Sequence, residues 1–302
     1  MYPVDSKTKS PPLKSKIFLD GGDPNETREI INLLGFLDGQ TTNPTLISKN
    51  PKAREKLEKG GKFTAKEIFE FYKKIVQEIS QLIPHGSVSV EVYADKNTTS
   101  QQMLQSGKEM FSWIPNAHIK FPINTAGLNA AEQAVKEGIR VNMTLCFNQQ
   151  QAAAVYAATH QPNTPKDSLS GLKNVFVSPF IGRLDDKEEN GMGLIKNIIQ
   201  MYKRNDHHVA VLAASIRNLD HFLYSLTLGS DIITAPYLVL KEWAEGGLQI
   251  PGVDFVYKRG NLKNISYQKL NLNNDWHDFN ISHELTDAGI EKFANDWNAL
   301  IK

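Results

Sequence analysis

Lys120, Asp20 and Glu91 are the residues of this chain whose types could do chemistry together, provided the fold makes them meet. Lys120 stands in AHIKFPINTAGL (117–128), inside what reads as a short buried strand followed by a turn and a helix start. Burying an ammonium costs several kcal/mol in desolvation, roughly, unless partners offset it. An amine beside two carboxylates is the kind of set that concentrates at functional sites. Arg183, just after SPFIG, and Arg217, two residues beyond Ser215, add two guanidinium groups, and a guanidinium pair suits a phosphate dianion through bidentate bonding.

The elements that must position these groups are short β-branched runs separated by helical stretches. Eight such runs occur, at 16–20, 37–43, 87–94, 117–122, 140–147, 174–180, 208–215 and 231–236. Eight strands alternating with helices predict an α/β chain closed into a (β/α)8 TIM barrel with extra terminal helices. Covered parallel strands normally read as continuous apolar runs, but these alternate. In SVSVEVY, Val88, Val90 and Val92 share one face, and Ser87, Ser89, Glu91 and Tyr93 share the other. The polar parity, turned inward, carries Asp20, Asn43, Glu91, Lys120, Asn142, Thr144 and Ser178 towards one cavity at the strand ends, where barrel enzymes keep their sites. Each taken alone reads as an ordinary polar strand-end residue; the set together reads as a site. Arg183 and Arg217 follow the sixth and seventh strands, close to where such barrels often hold phosphate.

Thr64-x-x-Glu67 opens a helix over 64–82 with Ile68, Phe71, Tyr72, Ile75, Ile79 and Leu82 on one face. Residues 286–301 read as a docked terminal helix, 1–15 as an N-terminal arm before a single domain over 16–302, and 161–171 as a loop. Residues 249–282 carry no readable pattern beyond an irregular segment.

The 302 residues carry 34 Lys plus Arg against 33 Asp plus Glu, with no long basic block, which argues against nucleic acid or an anionic membrane as partner. A single cysteine, Cys146, excludes an internal disulfide and fits a reducing, cytoplasmic setting, as does the lack of any apolar run long enough for a signal or membrane segment. Cys146 shares the inward parity and reads as a packed small residue near the site. There is no HExxH, P-loop or GxGxxG, and His207 and His208 fall on opposite faces of a strand start.

GQTTNPTLI (39–47), VSVEVYAD (88–95), IKFPINTAGL (119–128), VNMTLCF (141–147), SPFIGR (178–183) and AASIRN (213–218), in this order, resemble the transaldolase family of Schiff-base aldolases. The resemblance runs from about residue 17 to 247, with a family-like tail helix. It implies transfer of a dihydroxyacetone unit between sugar phosphates, with no metal or organic cofactor. It implies Lys120 as the imine-forming amine, Asp20 as the base at the C4 hydroxyl, and Glu91 with Thr144 as the pair handling a water. Asn43, Asn142 and Ser178 would hold sugar hydroxyls, Phe180 would line the pocket, and Arg183, Ser215 and Arg217 would hold the phosphate. It allows a monomer, a homodimer or a larger assembly.

Fructose 6-phosphate aldolases of the same superfamily share the lysine and resemble the chain through Pro122, but usually carry Gln at the position of Glu91 and Tyr at that of Phe180. Asn124 stands where Thr is common. A silent sugar-phosphate-binding barrel is the third reading, in which the arginines matter and Lys120 does not. Burial lowers the pKa of a lysine such as Lys120, whereas Asp20 and Glu91 nearby would raise it.

Overall fold

The computed structural model describes residues 13–161, 171–203, 205–252 and 255–302. Most of the arm at 1–15 and of the loop at 161–171 lies outside them. Eight parallel strands close into a barrel in sequence order: β1 Lys16–Asp20, β2 Gly39–Thr41, β3 Ser87–Glu91, β4 Ala117–Pro122, β5 Val141–Cys146, β6 Val175–Pro179, β7 Val209–Ala213 and β8 Ile232–Ala235. β1 pairs with both β2 and β8, so the sheet has no free edge.

Helices α1 (Pro24–Leu34), α2 (Pro44–Ser48), α3 (Pro51–Glu58), α4 (Ala65–Leu82), α5 (Ser100–Phe111) and α6 (Thr125–Lys136) cover the first half. α7 (Gln149–Thr159), α8 (Ile181–Asp185), α9 (Gly191–Tyr202), α10 (Leu219–Leu228), α11 (Tyr237–Glu245) and α12 (Glu284–Asn298) follow. Asparagine starts several of them where a strand gives way to a helix. Asn43, Asn124, Asn148 and Asn218 each accept a backbone N–H of the first turn of α2, α6, α7 and α10. Asn124 therefore keeps the capping role that a Thr at that position could also fill. The Thr64–Glu67 capping box of α4 forms in both directions, and Ile68, Tyr72, Ile75 and Ile79 are buried on its inner face. Among the described residues no helix is long and apolar enough to cross a membrane.

The bottom of the barrel is closed by rings. His118 stacks on Phe176 with centroids 4.1 Å apart, and Phe18 meets Phe176 edge-on at 6.2 Å. Gly39 makes this possible, because a Cβ there would lie 2.5 Å from the Phe18 ring. Burial holds His118 at a pKa of about 3, so the plug is neutral. Above these rings the same parity carries the polar groups.

Within the segment 249–282, the described residues 255–282 form a strap around the outside of the barrel. The strap satisfies part of its backbone on helices it passes. Tyr257 stacks on Tyr224 of α10, the Ile265 carbonyl accepts from Asn197 of α9 at 2.9 Å, and Gln268 exchanges two bonds with Gln149 of α7. Trp276, in a single 3-10 turn, then reaches Glu132 of α6 at 3.3 Å. These partners belong to sequence-distant helices, which is why no local pattern marks the segment.

Candidate active site

A cavity of about 510 Å³ opens at the C-terminal ends of the strands. Asp20, Asn43, Lys120, Ser178, Phe180, Arg183, Ser215 and Arg217 line it. Lys120 is 3 % exposed and Glu91 4 %. The Lys120 ammonium lies 2.9 Å from Glu91 Oε2, an ion pair whose angles fall outside hydrogen-bond alignment, and donates to the Thr42 carbonyl at 3.1 Å. Neighbouring registers on β3 and β4 place Glu91 opposite Lys120, so the pair follows from strand alignment. The Glu91 backbone N–H donates to the Tyr72 hydroxyl at 2.9 Å, tying this strand end to α4.

Asp20 accepts from Thr41 Oγ1 at 2.7 Å, and Thr41 and Thr234 hydroxyls stand 2.6 Å apart. Desolvation raises the pKa values of both Asp20 and Glu91 above the ordinary carboxyl range, with Lys120 opposing the shift at each. Carboxyls tuned upward in this way are better matched to proton transfer near neutrality.

Asn142 does not line the cavity. It is fully buried behind the wall, accepting the Ser178 hydroxyl at 2.6 Å and donating to Ser89 at 3.0 Å. It therefore aims Ser178 and leaves the lone pairs of that hydroxyl for a ligand. Thr144 is also buried below the surface, and its Oγ1 has no partner among the described residues. Glu91 borders a second cavity of about 10 Å³, close to the size of one water. Asn43 uses its side-chain oxygen to cap α2, accepting from Leu46 N–H at 2.9 Å, which turns its amide NH2 to other uses.

Cys146 departs from the expected inward position. Leu145 adopts φ 62°, the β5–β6 register shifts between Met143 and Cys146, and the alternation of faces breaks there. The thiol instead contacts the Asn148 carbonyl at 3.5 Å, outside the cavity lining, and burial pushes its pKa up to about 12. Leu145 in turn packs against Gly289 of α12.

α12 is the roof of the site. Leu285, Ala288, Lys292 and Phe293 complete the cavity wall, and Thr286 fastens the helix to β5 by donating to the Leu145 carbonyl at 3.0 Å. Arg183 lies between Phe180 of the barrel and Phe293 of the roof, 5.3 and 5.2 Å from the two ring centroids. Arg217 enters from beyond β7, where Ser215 has φ 58°, and its guanidinium meets Asp186 at 2.8 Å. Sequence reasoning missed Lys49, Lys187 and Lys292 at the cavity wall, and Thr41 and Thr234 beneath Asp20. The threonines share the inward parity of their strands and could have been found; the lysines lie on helices and loops with no such marker.

Away from the cavity, His160, Asp206 and His208 bring potential metal-ligand atoms within 4.8 Å. Both His208 nitrogens are engaged, with Asp206 at 2.6 Å and with the Thr159 hydroxyl at 3.2 Å, so the group is joined as a hydrogen-bond cluster.

A closed eight-stranded parallel barrel with interleaved helices, holding a lysine paired with a carboxylate beside a second carboxylate and two arginines at its C-terminal end, defines a (β/α)8 protein. The model of the transaldolase/fructose-6-phosphate aldolase family matches residues 17–302. A probable transaldolase of Dehalococcoides mccartyi is 33 % identical over 287 residues, covering 95 % of this chain and 100 % of that one. Probable transaldolases of Roseiflexus sp. (strain RS-1) and Paracoccus denitrificans are each 33 % identical, over 285 and 284 residues, covering 94 % and 93 % of this chain and 97 % and 96 % of theirs. The chain belongs to the transaldolase/fructose-6-phosphate aldolase family.

Proposed function

We propose that the protein is a transaldolase that moves a dihydroxyacetone unit from a ketose phosphate, fructose 6-phosphate or sedoheptulose 7-phosphate, to an aldose phosphate. The observation that carries this reading is the buried Lys120–Glu91 pair at 2.9 Å, opening on a cavity that Asp20, Arg183 and Arg217 share. Glu91 takes the proton that Lys120 must lose to become a nucleophile. The free amine adds to the C2 carbonyl and water leaves, giving an imine on Lys120. Asp20 takes the proton of the C4 hydroxyl, the C3–C4 bond breaks, and its electron pair passes into the imine to give an enamine. The aldose phosphate departs, the enamine carbon adds to the aldehyde of the second aldose phosphate, and water releases the product ketose from Lys120.

Glu91, which borders a cavity of about one water, and Thr144, whose buried hydroxyl has no partner among the described residues, suit the proton transfers of imine formation and hydrolysis. Asn43 and Ser178 suit the hydroxyls of the dihydroxyacetone end, with Asn142 aiming Ser178. Arg183, Ser215 and Arg217 suit the phosphate, and Phe180 packs under Arg183. A cytoplasmic place in the pentose phosphate pathway and one domain over 16–302 with a preceding arm belong to the same reading.

Glu91 and Phe180 favour transfer over release of free dihydroxyacetone. The test is glyceraldehyde 3-phosphate formation from fructose 6-phosphate with and without erythrose 4-phosphate. Release that requires the acceptor supports a transaldolase, and release without it assigns an aldolase. Lys120→Met must abolish both turnover and the borohydride-trapped adduct; persistent turnover in that variant removes the Schiff-base reading.

A further inference from the structure

The two arginines stand on pieces of chain with little to hold them in place locally. α8, which carries Arg183, is five residues long and its N-cap Phe180 has no capping side chain. One helical turn does not persist alone in water. Arg217 lies in the irregular connection between β7 and α10. Backbone bonds join the two connections at their roots, Ile181 N–H to the Ala214 carbonyl at 3.0 Å and Gly182 N–H to the Ser215 carbonyl at 2.9 Å.

A second contact joins them further out. Asp185, two residues past Arg183, has one oxygen 2.9 Å from His221 Nε2, an ion-pair contact, and accepts from the Gly191 backbone N–H at 2.9 Å with the other. His221 lies on the first turn of α10, four residues past Arg217. The next residue, Asp186, holds the Arg217 guanidinium at 2.8 Å. His221 is buried, and its Nδ1 has no hydrogen-bond partner among the described residues. A buried polar ring with one nitrogen unsatisfied is a poor device for stability alone, since a packed apolar side chain avoids that cost. Neither His221 nor Asp185 lines the cavity.

We propose that His221 and Asp185 are positioning residues that lock α8 to the first turn of α10 and so set the spacing of Arg183 and Arg217 around the substrate phosphate. The inference rests on reading those arginines as phosphate ligands. Dihydroxyacetone carries no phosphate yet would use the same Lys120, which separates positioning from general damage.

The experiment compares His221→Ala, Asp185→Asn and the conservative His221→Gln with the wild type. It measures KM for fructose 6-phosphate, inhibition by inorganic phosphate, and the dihydroxyacetone concentration that half-saturates borohydride trapping. Loss of this imidazole–carboxylate contact is expected to raise KM and the phosphate inhibition constant about tenfold in His221→Ala and Asp185→Asn. kcat should stay within about threefold, as expected when ground-state and transition-state binding fall together. Dihydroxyacetone trapping should be unchanged, and His221→Gln should recover part of the phosphate affinity. Unchanged phosphate affinity overturns the inference, as does a parallel loss of dihydroxyacetone trapping. Phosphate inhibition that is insensitive to Arg217→Ala fails one step earlier, removing the phosphate reading and this inference with it.

Discussion

Replacing Lys120 by Met should expose, in a stability measurement, the electrostatic design of the site. The Lys120 ammonium and Glu91 carboxylate are 2.9 Å apart and both about 4 % exposed. At an effective dielectric of 20 their attraction is about 6 kcal/mol, set against a desolvation cost of several kcal/mol for each ion. Met fills the volume of the lysine stem but leaves Glu91 buried without its counter-ion. Breaking such a pair from one side costs about 3–5 kcal/mol, and because Glu91 can take up a proton the lower figure, about 3 kcal/mol, is expected near pH 8.

The pH dependence has a defined sign. Glu91 and Asp20 already have raised pKa values in the folded state, and Lys120 is the largest influence lowering each. A carboxyl whose folded pKa exceeds its unfolded value supports the fold fully below the unfolded pKa and loses that support as pH rises through the folded pKa. Without Lys120 both shifts grow, so the variant should lie closest to wild type near pH 5 and fall away towards pH 8. For a chain somewhat larger than those that lose roughly 2–4 °C per kcal/mol, thermal unfolding at pH 8 should drop by about 6 °C. Adding Glu91→Gln should return most of the loss. Equal melting of Lys120→Met and wild type across this pH range, or a Glu91→Gln substitution that deepens the loss, would refute the buried-pair reasoning.

Two further outcomes follow from the same geometry. Asp20→Asn should cut C–C cleavage about 10³-fold, the scale of a positioned general base, while borohydride still traps dihydroxyacetone on Lys120; cleavage at the wild-type rate in single-turnover assays would show that Asp20 is not the base. The methyl of Gly182→Ala would meet Arg217 Nε at 2.2 Å and the Ser215 carbonyl oxygen at 2.5 Å. Forcing these apart should cost about 1–3 kcal/mol of stability and raise KM for fructose 6-phosphate, readable from a melt and a saturation curve, whereas an unchanged KM would place Arg217 outside the phosphate site.

The amino-acid order by itself determined the barrel, because strand parity and helix capping are local: the eight β runs, the Thr64–Glu67 box and the inward set of Asp20, Glu91, Lys120 and Ser178 all lie within a few residues of their own signals. It also carried the family motifs. The same parity failed at Cys146, because the bulge at Leu145 shifts the register by a backbone conformation that no residue type there announces. Contacts between distant segments belonged to the tertiary structure alone. The strap at 255–282 takes its order from helices it crosses, and α12 becomes the roof of the cavity by packing on β5 and α2. Arg183 owes its place to rings from residues 180 and 293, and Arg217 to Asp186 and the backbone around Gly182. A short-range pattern can say which face a side chain takes; which partner waits on that face depends on closing the barrel.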